Sequence, residues 1–409
     1  KYPAWRRVEL GECVEPPQVS QSLRLVLCPS GVVKDAATSS FVKCETYDDY
    51  IESPGDLDSW AEDMVDDLSG EFKFPRAINA RKDPIKVEIG PALHEIESRL
   101  FKLLWFVKFV PVRLRPTFIK ERLFVIDGIY FSTDYTAFES AMVPALLKAV
   151  ELPFYHYMLQ QCAGGQEVAS LLTDILAGEN VMKFKNVTAR VQGVRMSGDM
   201  CTSLGNGFVN LMVMLTVCRV QGITVDGVVE GDDGLFSVSE PPAKENFANC
   251  GMLIKSKVSR DLGRAGFCKM IFDIQAQQNV KDPRPMLAKF GWTHSRLRHS
   301  RRFLPALLRS KAYSLMAELP GCPIAGALAR YGLRVATGGA SDEELYTHRA
   351  MQSEYRMYRG PSELLPIAMA TRRLVEQAFG VSVALQLAIE QYLDGLTEYE
   401  ELPFTDLMP

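Results

Sequence analysis

Residues 223–238 read ITVDGVVEGDDGLFSV, two short β-type runs on either side of a tight turn at Gly231–Asp232–Asp233–Gly234. Gly and Asp are turn formers, and apolar runs flanking such a turn predict a β-hairpin. Its tip would carry two adjacent carboxylates, which repel each other unless cations hold them. Hard carboxylate oxygens suit Mg2+, and a site that also binds phosphates needs only a few of them. By composition, a Gly-Asp-Asp triplet arises in about one chain in ten of this length, so it decides nothing alone. A solvated turn reads the same way.

Two flanking stretches change the reading. Upstream, residues 123–133 (LFVIDGIYFST) are rich in aromatic and β-branched residues and predict a strand, followed by a helix over about 136–149 that ends before Leu152–Pro153. Asp134 stands at the end of that strand. If the strand lies beside the hairpin, Asp134 meets Asp232 and Asp233 at one sheet edge. Three carboxylates could then hold two Mg2+ about 4 Å apart and clamp both oxygens of an in-line phosphoryl displacement. Asp134 reads equally well as the cap of the following helix.

The second stretch lies between the two acidic positions. Residues 191–196 are strand- or loop-like, Ser197–Gly198–Asp199 is a turn, and residues 200–220 form a long apolar helix. Thr202 and Asn206 fall one helical turn apart on the same face. A hydroxyl and an amide so placed can read a ribose through its 2′-OH, which both donates and accepts. The spacing Ser-Gly-x-x-x-Thr-x-x-x-Asn arises by chance in under about 1% of chains. That spacing tips the reading towards nucleotide chemistry.

Composition sets the limits. The chain has 409 residues, 47% apolar and 23% charged, with no internal repeat, which excludes disordered and collagen-like classes. No run of 18 apolar residues occurs, so no membrane span is expected. Nine scattered cysteines without a CxxC pair argue against zinc and against a secreted disulfide framework. The chain opens at Lys1 without a signal-peptide pattern, which suggests an excised or processed piece. Neither GxxxxGK[ST] nor GxGxxG is present, which disfavours a P-loop or dinucleotide enzyme. Net charge is −4, yet it is segregated: residues 44–72 hold 11 acids and no base, residues 73–123 hold 12 bases against 5 acids, and residues 281–311 hold 9 bases against Asp282 alone. Such blocks can line a basic channel inside an acidic protein, because local field matters more than the total. Helical spacing follows Pro91 over 91–108, and beyond about residue 300 the pattern is mostly helical, with breaks at Pro320, Gly338–Gly339 and Pro361. The predicted class is α+β with a small antiparallel sheet.

At this point the sequence resembles a known family. STDYTAFE (132–139), SGDMCTSLGN (197–206) and EGDDG (230–234) stand in the order of motifs A, B and C of viral RNA-dependent RNA polymerases, and the motif B wording is similar to the tombusvirus and nodavirus-like branch of positive-strand RNA viruses. FVKCE (41–45) and FPRAINAR (74–81) resemble a split motif F, and GFCK (266–269) resembles motif E. The acidic stretch 46–72 interrupts motif F.

The resemblance implies a right-hand polymerase: fingers over 1–125 and 151–190, palm over 126–150 and 191–275, and a helical thumb over 276–409. It implies RNA-templated addition of ribonucleoside triphosphates to an RNA 3′-OH, with two Mg2+ ions, or Mn2+ as a substitute, on Asp134, Asp232 and Asp233. Lys43, Arg76 and Arg81 would neutralise the triphosphate. Ser197 and Gly198 would form a loop under the templating base, and Thr202, Asn206 and Glu139 would recognise the ribose. Glu139 stands where the family carries Asp, one methylene shorter. Motif D would supply Lys255 or Lys257 near the leaving pyrophosphate, and the sequence does not choose between them. Cys268 and Lys269 would sit under the primer. Arg296, Arg298, Arg301 and Arg302 would contact template or product backbone, with Trp292 read as a core residue rather than a base-stacking one. Implied partners are RNA, ribonucleoside triphosphates and viral replication cofactors on a host membrane, reached in the cytoplasm through those partners or a missing N-terminal segment. Two rivals are a catalytically impaired RNA-binding scaffold and a reverse transcriptase. The latter is disfavoured because it places a bulky aromatic at the position of Glu139.

Overall fold

The computed structural model describes residues 38–42, 77–184, 188–293, 295–348 and 360–399. In chain order, β1 (Thr38–Val42) and β2 (Ala77–Arg81) precede helix α1 (Asp83–Leu100), α2 (Arg115–Leu123) and strand β3 (Ile129–Tyr135). Helices α3 (Leu152–Leu159) and α4 (Gly165–Ala177) then lead to β4 (Glu179–Lys183) and β5 (Thr188–Gln192). The long α5 (Thr202–Gln221) enters the hairpin β6 (Val225–Glu230) and β7 (Asp233–Val238), followed by α6 (Lys244–Asn249) and β8 (Ile254–Ser259). A short hairpin, β9 (Ile271–Asp273) and β10 (Gln278–Val280), precedes α7 (Leu304–Glu318), α8 (Ala325–Val335), α9 (Met369–Phe379) and α10 (Val383–Gly395).

The chain divides into two compact units. One holds His94–Ala141 with the described residues from Ser203 onward, and the other holds the described residues up to Leu93 with Met142–Thr202. The first is built on a four-stranded, fully antiparallel sheet of order β6-β7-β3-β8. One of its faces presents Tyr130, Val228 and Leu235 to Ile119 and Leu123 of α2 and to Phe267 and Phe272. The other presents Phe131, stacked on Phe247 at 6.0 Å between ring centroids, and Tyr135, edge-on to Phe138. A separate core, including Leu315, Leu328, Val375 and Ile389, holds the C-terminal helices together. Each such apolar side chain contributes about 1.5–3 kcal/mol on burial.

The second unit contains a mixed sheet of order β2-β1-β4-β5, in which β1 and β4 run parallel. The sequence reading had not anticipated it. In this unit, the Arg195 guanidinium pairs with Glu151, both side chains fully buried, and donates to Cys201 Sγ at 3.0 Å. Tyr155 donates to the other Glu151 oxygen at 2.6 Å.

The α+β class with a small antiparallel sheet holds, while three boundaries differ from expectation. Helix α1 starts at Asp83, not after Pro91, and Pro91 lies inside it. An acid followed by Pro84 is a good first turn, and an internal Pro costs one backbone hydrogen bond that a long helix can absorb. The strand expected over 123–133 begins at Ile129, because a turn closed by Gly128 N–H on Val125 O (3.1 Å) intervenes and leaves Ile126 82% exposed. The helix expected over 136–149 is interrupted at Met142–Val143, and from Pro144 helical backbone runs through a π-helical turn, Leu147–Glu151, into α3, so Leu152–Pro153 continues a helix instead of ending one. Pro144 is suited to a first turn, and the widened π turn directly before Pro153 accommodates its missing N–H.

Candidate active site

The β6–β7 hairpin closes with a two-residue loop, Gly231–Asp232, because Glu230 and Asp233 already pair across the strands. Gly231 has φ +60 and Asp232 has negative φ, the pattern of a type II′ turn, in which glycine takes the first central position. A Cβ at Gly231 would meet nothing within 4 Å, so it is the backbone conformation, not space, that requires glycine. The turn carbonyls are gathered by one side chain. Asn210, fully buried on α5, aims Nδ2 at the carbonyl oxygens of Gly231 (3.1 Å), Asp232 (3.0 Å) and Asp233 (3.1 Å).

Register places the acids. Thr133 pairs with Gly234, so the next step along the antiparallel ladder sets Asp134 beside Asp233. On its other side Asp134 pairs with Lys255. Glu230, Asp233, Asp134 and Lys255 therefore form one cross-strand row at a single end of the sheet, with side chains on the same face. This places Asp134 inside β3 and removes its alternative reading as a helix cap. Lys257 lies two residues further along, opposite Ser132, and its ammonium donates to Arg264 O at 2.8 Å.

The row is electrostatically unbalanced. Among the described residues, none of Asp134, Asp232 and Asp233 makes an ion pair. Burial pushes the Asp233 carboxyl up to about 6, and the charges of Asp232 and Asp134 add to that. Glu230 is different: Arg115 Nη1 lies at 2.6 Å and Lys108 Nζ at 3.4 Å, and against the opposing effect of burial they hold its carboxyl below the usual range. Among the described residues no three His, Cys, Asp or Glu side chains, Asp134, Asp232 and Asp233 included, are grouped so that they could together hold a metal ion. The donors at the tip, carboxylates without cationic partners, are those a hard cation takes.

The charge of Lys108 also acts on a second, half-buried acid, Glu97. Burial pushes the Glu97 carboxyl up to about 7, against the lowering influence of Lys108. A carboxyl raised above its unfolded value of 4.5 keeps a proton in the folded state that the unfolded chain releases, so its contribution weakens the fold as pH rises from 4.5 through about 7. Glu97→Gln is expected to raise stability by about 1–3 kcal/mol at pH 8 and to leave it unchanged at pH 4, as read by urea denaturation at both values.

The Phe267–Met270 turn leans over the same acids. Phe267 and Met270 exchange backbone hydrogen bonds at 2.8 and 3.0 Å, and the two central residues, Cys268 and Lys269, take φ +52 and +60. Left-handed backbone at non-glycine residues costs about 1–2 kcal/mol each. The cost is met where the turn aims the Cys268 thiol at Glu230, 3.6 Å away, and towards Asp233. Strain of this kind concentrates at functional sites.

In the other unit, the Ser197–Gly198–Asp199 loop is tied to β2. Arg81, 2% exposed, donates Nε to Asp199 Oδ1 at 2.6 Å and Nη2 to Ile175 O at 3.2 Å. Arg81 was expected at the triphosphate, but here its guanidinium is engaged with the loop. The Thr202 hydroxyl likewise donates to Met196 O (3.1 Å) and Asp199 O (2.9 Å), so its proton serves the loop. Gly198 bridges to Ala80, and a Cβ there would stand 2.7 Å from Asn79 O and 2.8 Å from Ala80 N. Gly198→Ala must push that backbone apart. It is expected to cost about 1–3 kcal/mol in thermal or chemical unfolding.

The remaining expected residues are placed as follows. Lys43, Arg76 and the acidic stretch 46–72 lie outside the described residues. Ser197 and Glu139 are half-buried, and Asn206 is buried on α5. Lys269, Arg296, Arg298 and Arg301 are exposed, while Arg302 pairs with Glu344. Trp292 is 79% exposed rather than in a core, since it sits in a loop just past Gly291. Helix α5 is apolar and long enough to cross a membrane, but most of its length is buried within the protein. Sequence reasoning missed Asn210, Asp199, Arg115 and Glu230. A polar residue inside an otherwise apolar helix was the available signal for Asn210. For Asp199 it was the position directly after Ser-Gly.

Comparison with known proteins points to one class, the polymerases that copy RNA. A profile described as viral RNA dependent RNA polymerase matches residues 147–397, more than half of the chain, and the chain belongs to that family. Asp134 lies upstream of the matched span. Among curated relatives, the RNA-directed RNA polymerase of Groundnut rosette virus (strain MC1) is 26% identical over 222 residues, 50% of this chain and 25% of that protein. The RNA-directed RNA polymerase of Panicum mosaic virus (strain United States/Kansas 109S) is 23% identical over 355 residues, 81% of this chain and 35% of that protein. That of Turnip crinkle virus is 23% identical over 274 residues, 64% of this chain and 33% of that protein. The chain thus spans about a quarter to a third of the length of these relatives.

Proposed function

We propose that this chain carries the catalytic portion of an RNA-dependent RNA polymerase of a positive-strand virus, adding ribonucleoside triphosphates to an RNA 3′-OH. The observation that carries the reading is the cross-strand row Glu230–Asp233–Asp134–Lys255 at the hairpin tip. In right-hand terms, the β6-β7-β3-β8 sheet is the palm, the C-terminal helices are the thumb, and the second unit belongs to the fingers. Asp134, Asp232 and Asp233 would hold divalent cations, Mg2+ by the preference of carboxylate oxygens, with Mn2+ a substitute. When bound, these ions supply the charge that activates the attacking 3′-OH and stabilises the leaving pyrophosphate.

The chain's own side chains do the rest. Lys255, set opposite Asp134, is the better motif D lysine, because Lys257 is committed to a backbone carbonyl. Its ammonium can neutralise negative charge and hold a proton for the leaving group. Glu139 and Asn206 take the ribose, while Thr202 orders the loop that bears Ser197. The turn at Cys268–Lys269 supports the primer end. Arg296, Arg298 and Arg301 contact RNA phosphates, and exposed Trp292 can stack on a base.

The test is primer extension on a short RNA, with and without Mg2+, using ribo- and deoxyribonucleotides in parallel. Mg2+-dependent incorporation of ribonucleotides alone is expected. RNA binding without synthesis would assign a polymerase-like scaffold instead, and preference for deoxyribonucleotides a reverse transcriptase.

A further inference from the structure

We propose that Asn210 is a positioning residue that holds the Gly231–Asp232–Asp233 turn in the orientation from which its carboxylates act. The inference rests on the polymerase reading but concerns a residue that no motif of the family resemblance includes. A carboxamide NH2 has two hydrogens, and here three consecutive carbonyls converge on it at 3.0–3.1 Å. Consecutive carbonyls of an extended strand point alternately to opposite sides. Their convergence on one nitrogen is therefore possible only while the backbone is folded as a tight turn. The amide thus selects that turn over the extended or bulged alternatives open to a Gly-Asp-Asp segment.

Two further observations separate this role from ordinary packing. Asn210 Oδ1 is buried without a hydrogen-bond partner, so the side chain's acceptor is sacrificed to place its donor. Leucine, which has the same branched heavy-atom skeleton in a larger volume, would remove that orphan and suit the apolar helix. The carboxylates of Asp232 and Asp233 make no ion pair among the described residues, so no ion pair fixes where they point. Their direction is set by the backbone that Asn210 grips. Asn210 does not touch the reacting groups and acts through the turn.

Asn210→Leu tests this, in two measurements on the whole chain. In primer extension at saturating Mg2+, kcat is expected to fall about 100-fold with the nucleotide KM and the RNA Kd unchanged. Independently of turnover, Mn2+ binding to the RNA-free protein, followed by electron paramagnetic resonance, is expected to weaken about 10-fold. Wild-type values in both measurements would overturn the proposal. So would a parallel loss of nucleotide KM, RNA affinity and thermal midpoint, which would mark a purely structural role. Asn210→Ser keeps one O–H donor in a smaller side chain and is expected to fall between wild type and Asn210→Leu. It replaces Asn210→Leu if that variant does not fold, and misfolding of both, seen by circular dichroism, would also overturn the proposal. If wild-type protein binds Mn2+ yet incorporates no nucleotide, the polymerase reading fails. The Mn2+ affinities of wild type and variant still decide the role of Asn210.

Discussion

Asp232→Ala is expected to lower Mg2+-dependent nucleotide incorporation by about 10³-fold or more while leaving the unfolding free energy within about 0.5 kcal/mol of wild type. Asp134→Ala should behave alike. Both side chains are exposed and neither makes an ion pair among the described residues, so the fold loses little when either is removed. What is lost is one of the two carboxylates whose charge bears on Asp233, which already carries excess negative field. Taking away a like charge should also let the Asp233 carboxyl fall back towards the ordinary range, so neither variant is expected to be destabilised at neutral pH. Single-turnover extension beside urea denaturation reads both quantities. Incorporation retained at more than a few per cent by either purified variant would remove these carboxylates from the chemistry.

The second large effect is on stability. Arg195→Ala is expected to destabilise the protein by about 3–5 kcal/mol, because it leaves Glu151 as an uncompensated buried charge. Both side chains are completely excluded from solvent, and Tyr155 and Cys201 close the remaining sides of the pair. Glu151→Leu combined with Arg195→Met should recover most of that loss, since the desolvation of both ions is then relieved together. Denaturant midpoints of Glu151→Leu, Arg195→Met and the two combined make a double-mutant cycle that isolates the pair. Arg195 directly precedes Met196, where the loop bearing Ser197 and Gly198 begins. Recovered stability without recovered incorporation would assign the pair a part in placing that loop as well as in holding its unit together.

Much of the proposed site was legible along the chain because its parts are local. A Gly-Asp turn between β-branched runs favours a hairpin through local preference, and the 223–238 stretch forms one with its acids at the tip. The apolar run after Ser197–Gly198–Asp199 forms α5 over Thr202–Gln221, within two residues of expectation. Two boundaries turned on proline. Pro91, expected to precede a helix, and Pro153, expected to follow one, both lie inside helical backbone, Pro91 at the cost of one hydrogen bond and Pro153 just after the π-helical turn Leu147–Glu151. The run from Leu123 to Thr133 misled for another reason: aromatic and β-branched composition says nothing about the turn at Val125–Gly128 that divides it.

Residue type, turn chemistry and spacing thus specify, without any coordinates, an acidic hairpin tip, a Ser-Gly loop and a polar-faced helix after it. They cannot specify that β3 inserts between β7 and β8, because strand neighbours are selected by long-range pairing and packing rather than by local preference. From that single insertion follow the placing of Asp134 beside Asp233 and the separation of Lys255 from Lys257. The engagement of Arg81 with Asp199 and the grip of Asn210 on three carbonyls are likewise contacts between segments distant in sequence. A side chain's donors acquire a role only when folding brings an acceptor to them.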